Sequence, residues 1–425
     1  MNTGTNSMHS AEIGESDTDW SPLDRLARRV VLSRLEKLQQ GQILFIEDGV
    51  CTAVGHKVGT RSLSVEVHVL SPKFYRQIAF QGAVGAGEAY IHGYWACSDL
   101  RDLLRILLQN REVLENVSGG LAMLGKPILA MLHALHRNTR KGSRKNISAH
   151  YDLGNPFYQL WLDPTMMYSC AYFDSAEKTL EEAATEKLDR ICQKLDLSAG
   201  DSIIEIGTGW GGFAIHAARH YGCHVTTTTI SRQQYEFARQ AVVDAGVEDR
   251  VTLLLKDYRD LEGRFDKLVS IEMIEAVGHE YHDRFFRKCA ELLKPNGQML
   301  LQAITMADQH YDSYKTRVDF IKRYIFPGGC LTSVTGMAET MTRHTDLRTI
   351  HLEDIGPHYA RTLRHWRARF NARLDDVREL GYSESFIRMW EFYLVYCEAA
   401  FMERAIGTVQ LLAVRPGARR EKIEY

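Results

Sequence analysis

The chain has 425 residues, of which 45% are hydrophobic and 25% are charged, and its formal net charge at pH 7 is −2. This is ordinary globular usage in a chain long enough for two domains, and it excludes a strongly charged, disordered protein. A nearly neutral chain has no overall attraction to nucleic acid, so we predict no nucleic-acid partner. Attraction to an anionic surface would have to come from local patches.

Eight scattered cysteines include no CxxC pair, and we therefore predict no zinc or other metal site. With no secretory signal, they are typical of reduced thiols in a cytoplasmic protein. Residues 1–20 are polar and lack the pattern of a signal peptide, so we predict a disordered tail. No apolar run is long enough to span a bilayer.

Residues 21–135 are predicted to form a small α+β domain. Apolar residues at helical spacing, with arginines between them, predict an amphipathic helix over residues 22–40. Strict alternation of apolar residues predicts a strand within residues 62–70. We interpret the domain as a lipid-contacting one whose basic helix lies at the membrane interface. The alternative is an ordinary amphipathic helix packed on its own domain, and the same domain is a candidate for homodimer contacts.

Residues 136–149 are predicted to be a linker, because they include the basic, turn-rich stretch HRNTRKGSRK. Two interpretations stay open for this stretch. It is either a solvated connector or a strip that contacts lipid phosphates, since clustered basic residues are attracted to anionic lipid.

Residues 150–425 have the rhythm of an α/β domain. Alternating strands and helices predict a parallel sheet with helices on both faces. A segment over about residues 305–345 interrupts this rhythm, and two long helices are predicted after it, over 359–380 and 383–404. The predicted strands are 202–206, 224–230, 251–255, 267–271, 298–304 and 408–414.

A glycine-rich turn, EIGTGWGG at residues 205–212, lies between the first of these strands and a helix. Glycines at such a turn let the backbone approach a ligand closely, although the pattern alone is weak evidence. A dinucleotide site would need an acid at the end of the next strand, and that strand reads VTTTTIS. Glu205, two residues before Gly207, instead resembles the first motif of class I methyltransferases, which cradles the amino-acid part of S-adenosylmethionine. A purely structural turn is the third alternative.

Further segments resemble the cyclopropane-fatty-acyl-phospholipid synthase family, which includes the mycolic acid cyclopropane synthases. The resemblance is strong over about residues 140–415 and only general before them. It implies a Rossmann-like class I methyltransferase domain with an acyl-binding insertion at about 305–345. The segments are HYDLG at 150–154, YSCAY at 168–172, TISRQQ at 229–234, DYRD at 257–260, EMIEAVG at 272–278, YIFPGGC at 324–330, and Cys397.

The resemblance also implies roles in binding the co-substrate S-adenosylmethionine. Tyr168 and Ser169 would touch it, and Glu205 precedes the loop that lines its methionine end. The remaining implied contacts are the loop glycines Gly207, Gly209 and Gly211, the ribose-region residues Thr229, Ile230 and Gln234, and the adenine-flanking residues Asp257, Tyr258 and Arg259.

The family holds a bicarbonate ion beside the reacting methyl group. The matching residues here are Cys170, Glu275, Gln302, Ile304 and Tyr359, while Cys397 matches a cysteine discussed as catalytic. Two positions depart from the bacterial pattern, because Ala276 and Gln302 stand where many members have histidine. The branch that resembles plant cyclopropane synthases shares both changes. A glutamine can donate to an anion but cannot carry a proton, so we treat Gln302 as a positioning group.

The implied chemistry begins with attack of a cis double bond on the sulfonium methyl group, which requires alignment and exclusion of water. Attack leaves a carbocation that aromatic faces can stabilise. Removing a proton from the new methyl group, for which the bound bicarbonate is the candidate base, closes a cyclopropane ring. Removing it from a neighbouring carbon gives a methylated alkene. The aromatic candidates are Tyr168, Tyr172, Phe173, Tyr324, Phe326 and Tyr359.

We therefore predict a cytoplasmic, peripherally membrane-associated enzyme that forms cyclopropane rings on unsaturated acyl chains of phospholipid. The first alternative is C-methylation of the acyl chain without ring closure. A small-molecule methyltransferase and a lipid-binding protein that has lost catalysis are the two others.

Overall fold

The computed structural model describes residues 20–57, 59, 62–111 and 153–419. Its contacts divide the chain into two compact units, Met1–Lys126 and Pro127–Tyr425. The predicted tail before Trp20, the boundary near residue 135 and the basic linker 136–149 lie outside the described residues and stay predictions.

The first unit has a four-stranded sheet in the order β2-β1-β3-β4, with β1 and β3 parallel and the other pairs antiparallel. Helix α1 begins with a capping box between Ser21 and Asp24 and ends earlier than predicted. The sequence patterns missed β2, which is largely exposed, and α2, which is broken at Gly82. The elements are α1 Pro22–Leu35, β1 Gly41–Glu47, β2 Val50–His56, β3 Ser64–Val69, α2 Lys73–Ile91, β4 Trp95–Cys97 and α3 Leu100–Gln109.

The second unit begins, within the described residues, with two helices and continues as alternating strands and helices. Its first half comprises α4 Asn155–Gln159, α5 Leu180–Lys194, β5 Ser202–Ile206, α6 Gly212–Tyr221, β6 His224–Thr229, α7 Arg232–Asp244, β7 Val251–Leu255 and β8 Phe265–Ile271. Its second half comprises α8 His282–Leu292, β9 Leu293–Met306, α9 Asp308–Lys315, α10 Val334–His344, β10 Arg348–Asp354, α11 Gly356–Ala372, α12 Leu374–Glu379, α13 Glu384–Met402 and β11 Ile406–Val414.

These strands form one seven-stranded sheet in the order β10-β11-β9-β8-β5-β6-β7. The five strands from β9 to β7 are parallel, and β11 is antiparallel to both of its neighbours. Apolar side chains of α8 and α10 cover one face, and those of α5, α6 and α7 cover the other. This is the predicted α/β architecture with helices on both faces.

The strand order reverses beside β5. From β5 the chain adds β6 and β7 on one side, and then returns to place β8 on the other side. The loops that leave the carboxyl ends of β5 and β8 therefore diverge and open a crevice, where open α/β sheets bind their ligands.

The segment between β9 and β10 contains α9, a π-helical turn over Ile321–Ile325, and α10. The helix predicted over residues 359–380 is instead two helices, because Arg373 has non-helical angles (φ −124°, ψ 27°). Among the described residues, no helix has both the length and the apolar character needed to cross a membrane.

Candidate active site

The glycine loop follows β5 and leads into α6. Gly207, Gly209 and Gly211 have φ values of 106°, 53° and 96°, which side-chain-bearing residues rarely adopt. A Cβ atom on Gly207 would lie only 3.1 Å from Cγ of Met273, in the turn after β8. The backbone angle and the close approach of the two loops therefore both favour glycine at this position.

Glu205 lies in β5 just before this loop. Its Oε2 accepts a hydrogen bond of 2.6 Å from Thr227, and the Thr227 hydroxyl also lies 2.7 Å from that of Thr208. Burial raises the pKa of Glu205 to about 8. The carboxyl group thus links β5, β6 and the glycine loop from within the core.

The predicted ribose and adenine residues lie at the carboxyl ends of β6 and β7. Thr229 ends β6, followed by Ile230, and its hydroxyl donates to Oε1 of Gln234 at 2.8 Å. After β7, the Nε and Nη2 atoms of Arg259 donate to Asp257 at 2.8 and 2.6 Å. Arg259 therefore occupies much of the hydrogen-bonding capacity of the Asp257 carboxylate.

Tyr258, between these paired residues, packs edge-on against Phe285 at a ring-centroid distance of 5.6 Å. The glycine loop, Thr229 and Asp257 all stand at the same edge of the sheet. Because this edge is where the parallel strands end, the structure places the predicted co-substrate residues around one crevice.

Tyr168 and Ser169 precede α5. The Tyr168 hydroxyl lies 2.8 Å from that of Tyr393, and Ser169 accepts a hydrogen bond of 2.9 Å from Nζ of Lys187. Lys187 has no solvent exposure, and burial lowers its pKa to about 8. Sequence reasoning missed this lysine, although its place on the apolar face of α5 was a usable signal.

Glu272 stands at the centre of the residues predicted to hold bicarbonate. It directly follows β8 with φ +49°, an uncommon angle for a residue with a side chain. Its Oε1 accepts from the Cys170 backbone N–H at 2.9 Å and from Nε2 of Gln302 at 2.8 Å. Its Oε2 accepts from the Tyr359 hydroxyl at 2.7 Å. Burial raises the pKa of this carboxyl group.

The carboxyl group of Glu275, one turn further along the chain, has fewer hydrogen-bond partners than that of Glu272. Its Oε1 accepts from the Ile304 backbone N–H at 2.5 Å, while its buried Oε2 has no partner among the described residues. Burial and the nearby Glu272 charge raise the pKa of Glu275 to about 8. Since Glu272 receives three hydrogen bonds, we assign the negative charge to Glu272 and the proton to Glu275.

These contacts test whether the site fits a bicarbonate ion. The donors of Cys170, Gln302 and Tyr359 all bind Glu272, and the Ile304 donor binds Glu275. The carboxylate of Glu272 therefore takes the hydrogen bonds that an anion would need. The predicted bicarbonate residues are brought together, but their arrangement does not fit the ion. Glu272 is the first residue of the EMIEAVG segment, and the resemblance implies no role for it.

The two cysteines of the prediction carry raised pKa values. The Cys170 thiol is buried against the carbonyl oxygens of Ala171 and Ile355, at 3.3 and 3.7 Å. Cys397 lies one turn beyond Tyr393 in α13. Burial raises the pKa of both thiols, so both are protonated at neutral pH, which is unfavourable for a nucleophile. Cys170 contributes to the site through its backbone N–H.

Three of the six aromatic candidates join one ring network. Tyr168 contacts both Phe326 and Trp366, with ring centroids 6.4 and 5.4 Å apart, and Trp366 contacts Tyr359 at 5.9 Å. Tyr359 also stacks on Phe401 at 4.4 Å. The other three candidates have different ring partners: Tyr172 stacks on His358, Phe173 on His365, and Tyr324 packs against Phe320.

Comparison with known proteins identifies the family of this chain. Residues 138–411 match the family model for mycolic acid cyclopropane synthetase. The tuberculostearic acid methyltransferase UfaA1 of Mycobacterium tuberculosis is 39% identical over 350 residues, which are 80% of this chain and 81% of that protein. The cyclopropane-fatty-acyl-phospholipid synthase of Escherichia coli K12 is 37% identical over 359 residues, which are 83% of this chain and 89% of that protein.

Comparison with solved structures gives the same family. The mycolic acid cyclopropane synthase CmaA1, crystallised with SAH and CTAB, is 32% identical with a TM-score of 0.60, over 64% of this chain and 98% of that one. The predicted class I methyltransferase fold is thereby confirmed. The chain belongs to the mycolic acid cyclopropane synthetase family and is an S-adenosylmethionine-dependent methyltransferase of the cyclopropane-fatty-acyl-phospholipid synthase type.

Proposed function

We propose that the enzyme transfers the methyl group of S-adenosylmethionine to a cis double bond of a phospholipid acyl chain and closes a cyclopropane ring. The observation that carries the proposal is the buried carboxylate of Glu272 beside the aromatic network, in the turn that touches the glycine loop. A water-poor, aromatic site with one internal base suits a reaction that passes through a carbocation.

S-adenosylmethionine is proposed to bind in the crevice at the carboxyl ends of β5, β6 and β7. The glycine loop lets the backbone approach its methionine end, and Thr229 and Gln234 face the ribose region, where β6 ends without an acid. In this arrangement Tyr168 and Ser169 lie on the side of the crevice that leads to Glu272, because Cys170 is bound to it.

The acyl chain is proposed to enter beside the segment at about 305–345. Phe326 of this segment contacts Tyr168, and Phe320 packs on Phe392 with ring centroids 4.6 Å apart. The segment therefore supplies apolar surface directly beside the proposed reaction centre. An alkyl chain needs such a surface because it has no polar groups to bind.

A second candidate is methylation of the same double bond without ring closure. It is supported by the similarity to a protein named for tuberculostearic acid methylation, at an identity close to that of the named cyclopropane synthase. The two reactions share the methyl transfer and differ in which carbon loses its proton.

Product analysis tests the proposal. The purified protein is mixed with S-adenosylmethionine and vesicles of a cis-monounsaturated phospholipid, and the released fatty esters are examined by proton NMR. We expect high-field cyclopropyl signals and loss of vinyl protons. A branched methyl group with a retained alkene would establish the second candidate instead. No release of S-adenosylhomocysteine with any unsaturated phospholipid would refute both.

We also propose that the enzyme is cytoplasmic and binds membranes peripherally through its predicted N-terminal domain, residues 21–135. Leu23 and Leu26 of α1 are 42% and 49% exposed, and the adjacent Arg25 and Arg29 are also exposed. An exposed apolar pair flanked by cations suits an anionic lipid surface, while Ala27 and Val31 pack the opposite face of α1 on its own unit.

Vesicle sedimentation tests this surface. Replacing Leu23 and Leu26 by serine is expected to weaken binding to anionic phospholipid vesicles at least several-fold, with unchanged activity on detergent-dispersed substrate. Undiminished sedimentation of this variant would exclude α1 as the contact. The candidate homodimer is tested separately by light scattering of the protein in solution.

A further inference from the structure

We propose that Glu272 is the base that removes the proton after methyl transfer, in place of bicarbonate, and that Lys194 and Gln410 set its hydrogen-bonding state through Gln302. The inference rests on the proposed function. It is carried by a row of polar side chains that crosses the sheet inside the protein.

The row follows the strand register. Gln302 of β9 is the direct cross-strand partner of Gln410 of β11, and Gln410 is in turn the partner of Glu353 of β10. Gln302, Gln410 and Lys194 have no solvent exposure, whereas the Glu353 side chain is 24% exposed. Polar groups buried in a sheet are costly unless each has a partner, and each member of this row has one.

The hydrogen bonds run in one direction. Nζ of Lys194 donates to Oε1 of Gln410 at 2.6 Å, and Nε2 of Gln410 donates to Oε1 of Gln302 at 2.9 Å. Nε2 of Gln302 then donates to Glu272 at 2.8 Å. Lys194 is held at its other side by Glu353, which also binds Arg190.

The lysine determines this direction. An ammonium group only donates, so Gln410 must turn its oxygen toward Lys194 and its N–H group toward Gln302. Gln302 must then accept from Gln410 and point its own N–H group at Glu272. The orientation of both amides follows from the chemistry of the partners, and it presents Glu272 with a donor that stabilises its charged form.

Several other polar groups act on Glu272. Tyr359, Gln302 and the Cys170 N–H donate to it, Lys187 contributes a positive charge, and the Cys170 thiol and Glu275 oppose its charge. The donors and Lys187 favour the carboxylate, while burial keeps it a stronger base than a solvated one. A base with a pKa nearer the working pH removes protons more effectively.

The chemical step balances without an external base. The alkene electron pair forms a C–C bond with the methyl carbon, the C–S bond breaks, and S-adenosylhomocysteine leaves with the sulfur electron pair. The Glu272 carboxylate then takes one proton from the former methyl group, and that C–H electron pair forms the second C–C bond of the ring. Glu272 ends the turnover as a carboxylic acid and returns its proton to solvent.

The first experiment compares E272G and E272Q with the wild type in carbonate-free buffer, with and without added bicarbonate or formate. Glycine suits φ +49° and leaves a carboxylate-sized space, whereas glutamine keeps the shape and loses the base. We expect wild-type activity to be independent of bicarbonate. We expect product formation to fall about 100-fold in both variants, with rescue by added anion in E272G only, and unchanged S-adenosylmethionine binding.

Three outcomes would overturn the assignment of Glu272. They are wild-type activity that requires bicarbonate, E272Q retaining a tenth or more of the activity, and anion rescue that is equal in both variants. Failure of the proposed function is distinct, because the wild type itself would then release no S-adenosylhomocysteine.

The second experiment tests the positioning residues with Q410E. An ionised carboxylate beside Lys194 can only accept, so Gln302 must turn its N–H group toward it and its oxygen toward Glu272. We expect the acid limb of the kcat profile to move to higher pH by about one unit, with the KM for S-adenosylmethionine unchanged. Q298E is the control, because Gln298 is also buried in β9 but pairs with Val414. Equal pH profiles for Q410E and wild type, or an equal shift in Q298E, would remove this role.

Discussion

The buried ammonium group of Lys187 lies 2.9 Å from the hydroxyl of Ser169 and acts electrostatically on Glu205 and Glu272. A fully buried lysine is rare unless it compensates nearby charge. Here three buried glutamates lie around the crevice, two of them beside this cation, so Lys187 helps to set how many of them are ionised.

We expect Lys187→Met to raise the pKa of Glu272, because the cation lowers it in the wild type. A base with a higher pKa stays protonated to higher pH, so the acid limb of the pH–rate profile moves upward and activity near pH 7 falls. Initial rates from pH 5.5 to 9 measure this. Lys288→Met, which removes a lysine paired with Glu291 on α8, serves as the control and should leave the profile in place.

Tyr359→Phe removes one donor to Glu272 and keeps the ring that stacks on Phe401. We expect kcat to fall about tenfold to 100-fold, because a charge-assisted hydrogen bond contributes roughly 1.5–3 kcal/mol. S-adenosylmethionine affinity, measured by calorimetry, should be unchanged. A loss of affinity with kcat preserved would place Tyr359 in co-substrate binding instead.

Gly207→Ala is expected to abolish binding of S-adenosylmethionine. The new Cβ atom would lie 3.1 Å from Cγ of Met273, which is closer than van der Waals contact. It would also have to be accommodated at a backbone angle of φ 106°. Gly200→Ala is the matched control, since its φ of 94° carries similar backbone strain and no atom lies within 4 Å of the added Cβ. We expect both variants to lose thermal stability, Gly207→Ala more than Gly200→Ala because of its added contact with Met273, and only Gly207→Ala to lose binding.

Glu205→Gln is expected to stabilise the ligand-free protein at high pH. Folded Glu205 holds its proton up to about pH 8, whereas an unfolded glutamate releases it near pH ~4.3. Between these values the folded state binds more protons, so the free energy of unfolding falls as pH rises. Glutamine does not titrate, so its advantage in urea unfolding should be small at pH 5 and grow toward pH 9. A difference that is constant with pH would contradict the raised pKa.

The sequence predicts six of the seven strands of this sheet, because most of them are short apolar runs. It misses β10, which is mostly exposed. The strands 202–206 and 251–255 match the structure at both ends. Hydrophobic patterns fail to predict an element whose buried residues do not follow the period of a strand or a helix. The strand β2 is mostly exposed, and α2 turns through a non-helical Gly82, so neither has a regular apolar stripe.

The sequence predicts a site residue only where its role follows from the motif that contains it and not from contacts with distant segments. The glycine loop follows a strand and was identifiable, as were Cys170, Gln302 and Tyr359 through resemblance. The link from Lys194 to Glu272 was not, because it is created by the register of β9, β11 and β10, whose partners lie more than 50 residues apart. The proposed role of Glu272 likewise depends on three hydrogen-bond donors that lie on three separate segments of the chain.

The strand β11, which is the last of the described strands, lies inside the sheet between β9 and β10. During synthesis the ribosome therefore completes the glycine loop and Glu272 well before the strand that orients Gln302. Non-local pairing of this kind is slow to form. We therefore expect the binding crevice to form before Gln302 is oriented, so a chain that lacks β11 would bind S-adenosylmethionine without a correctly positioned base.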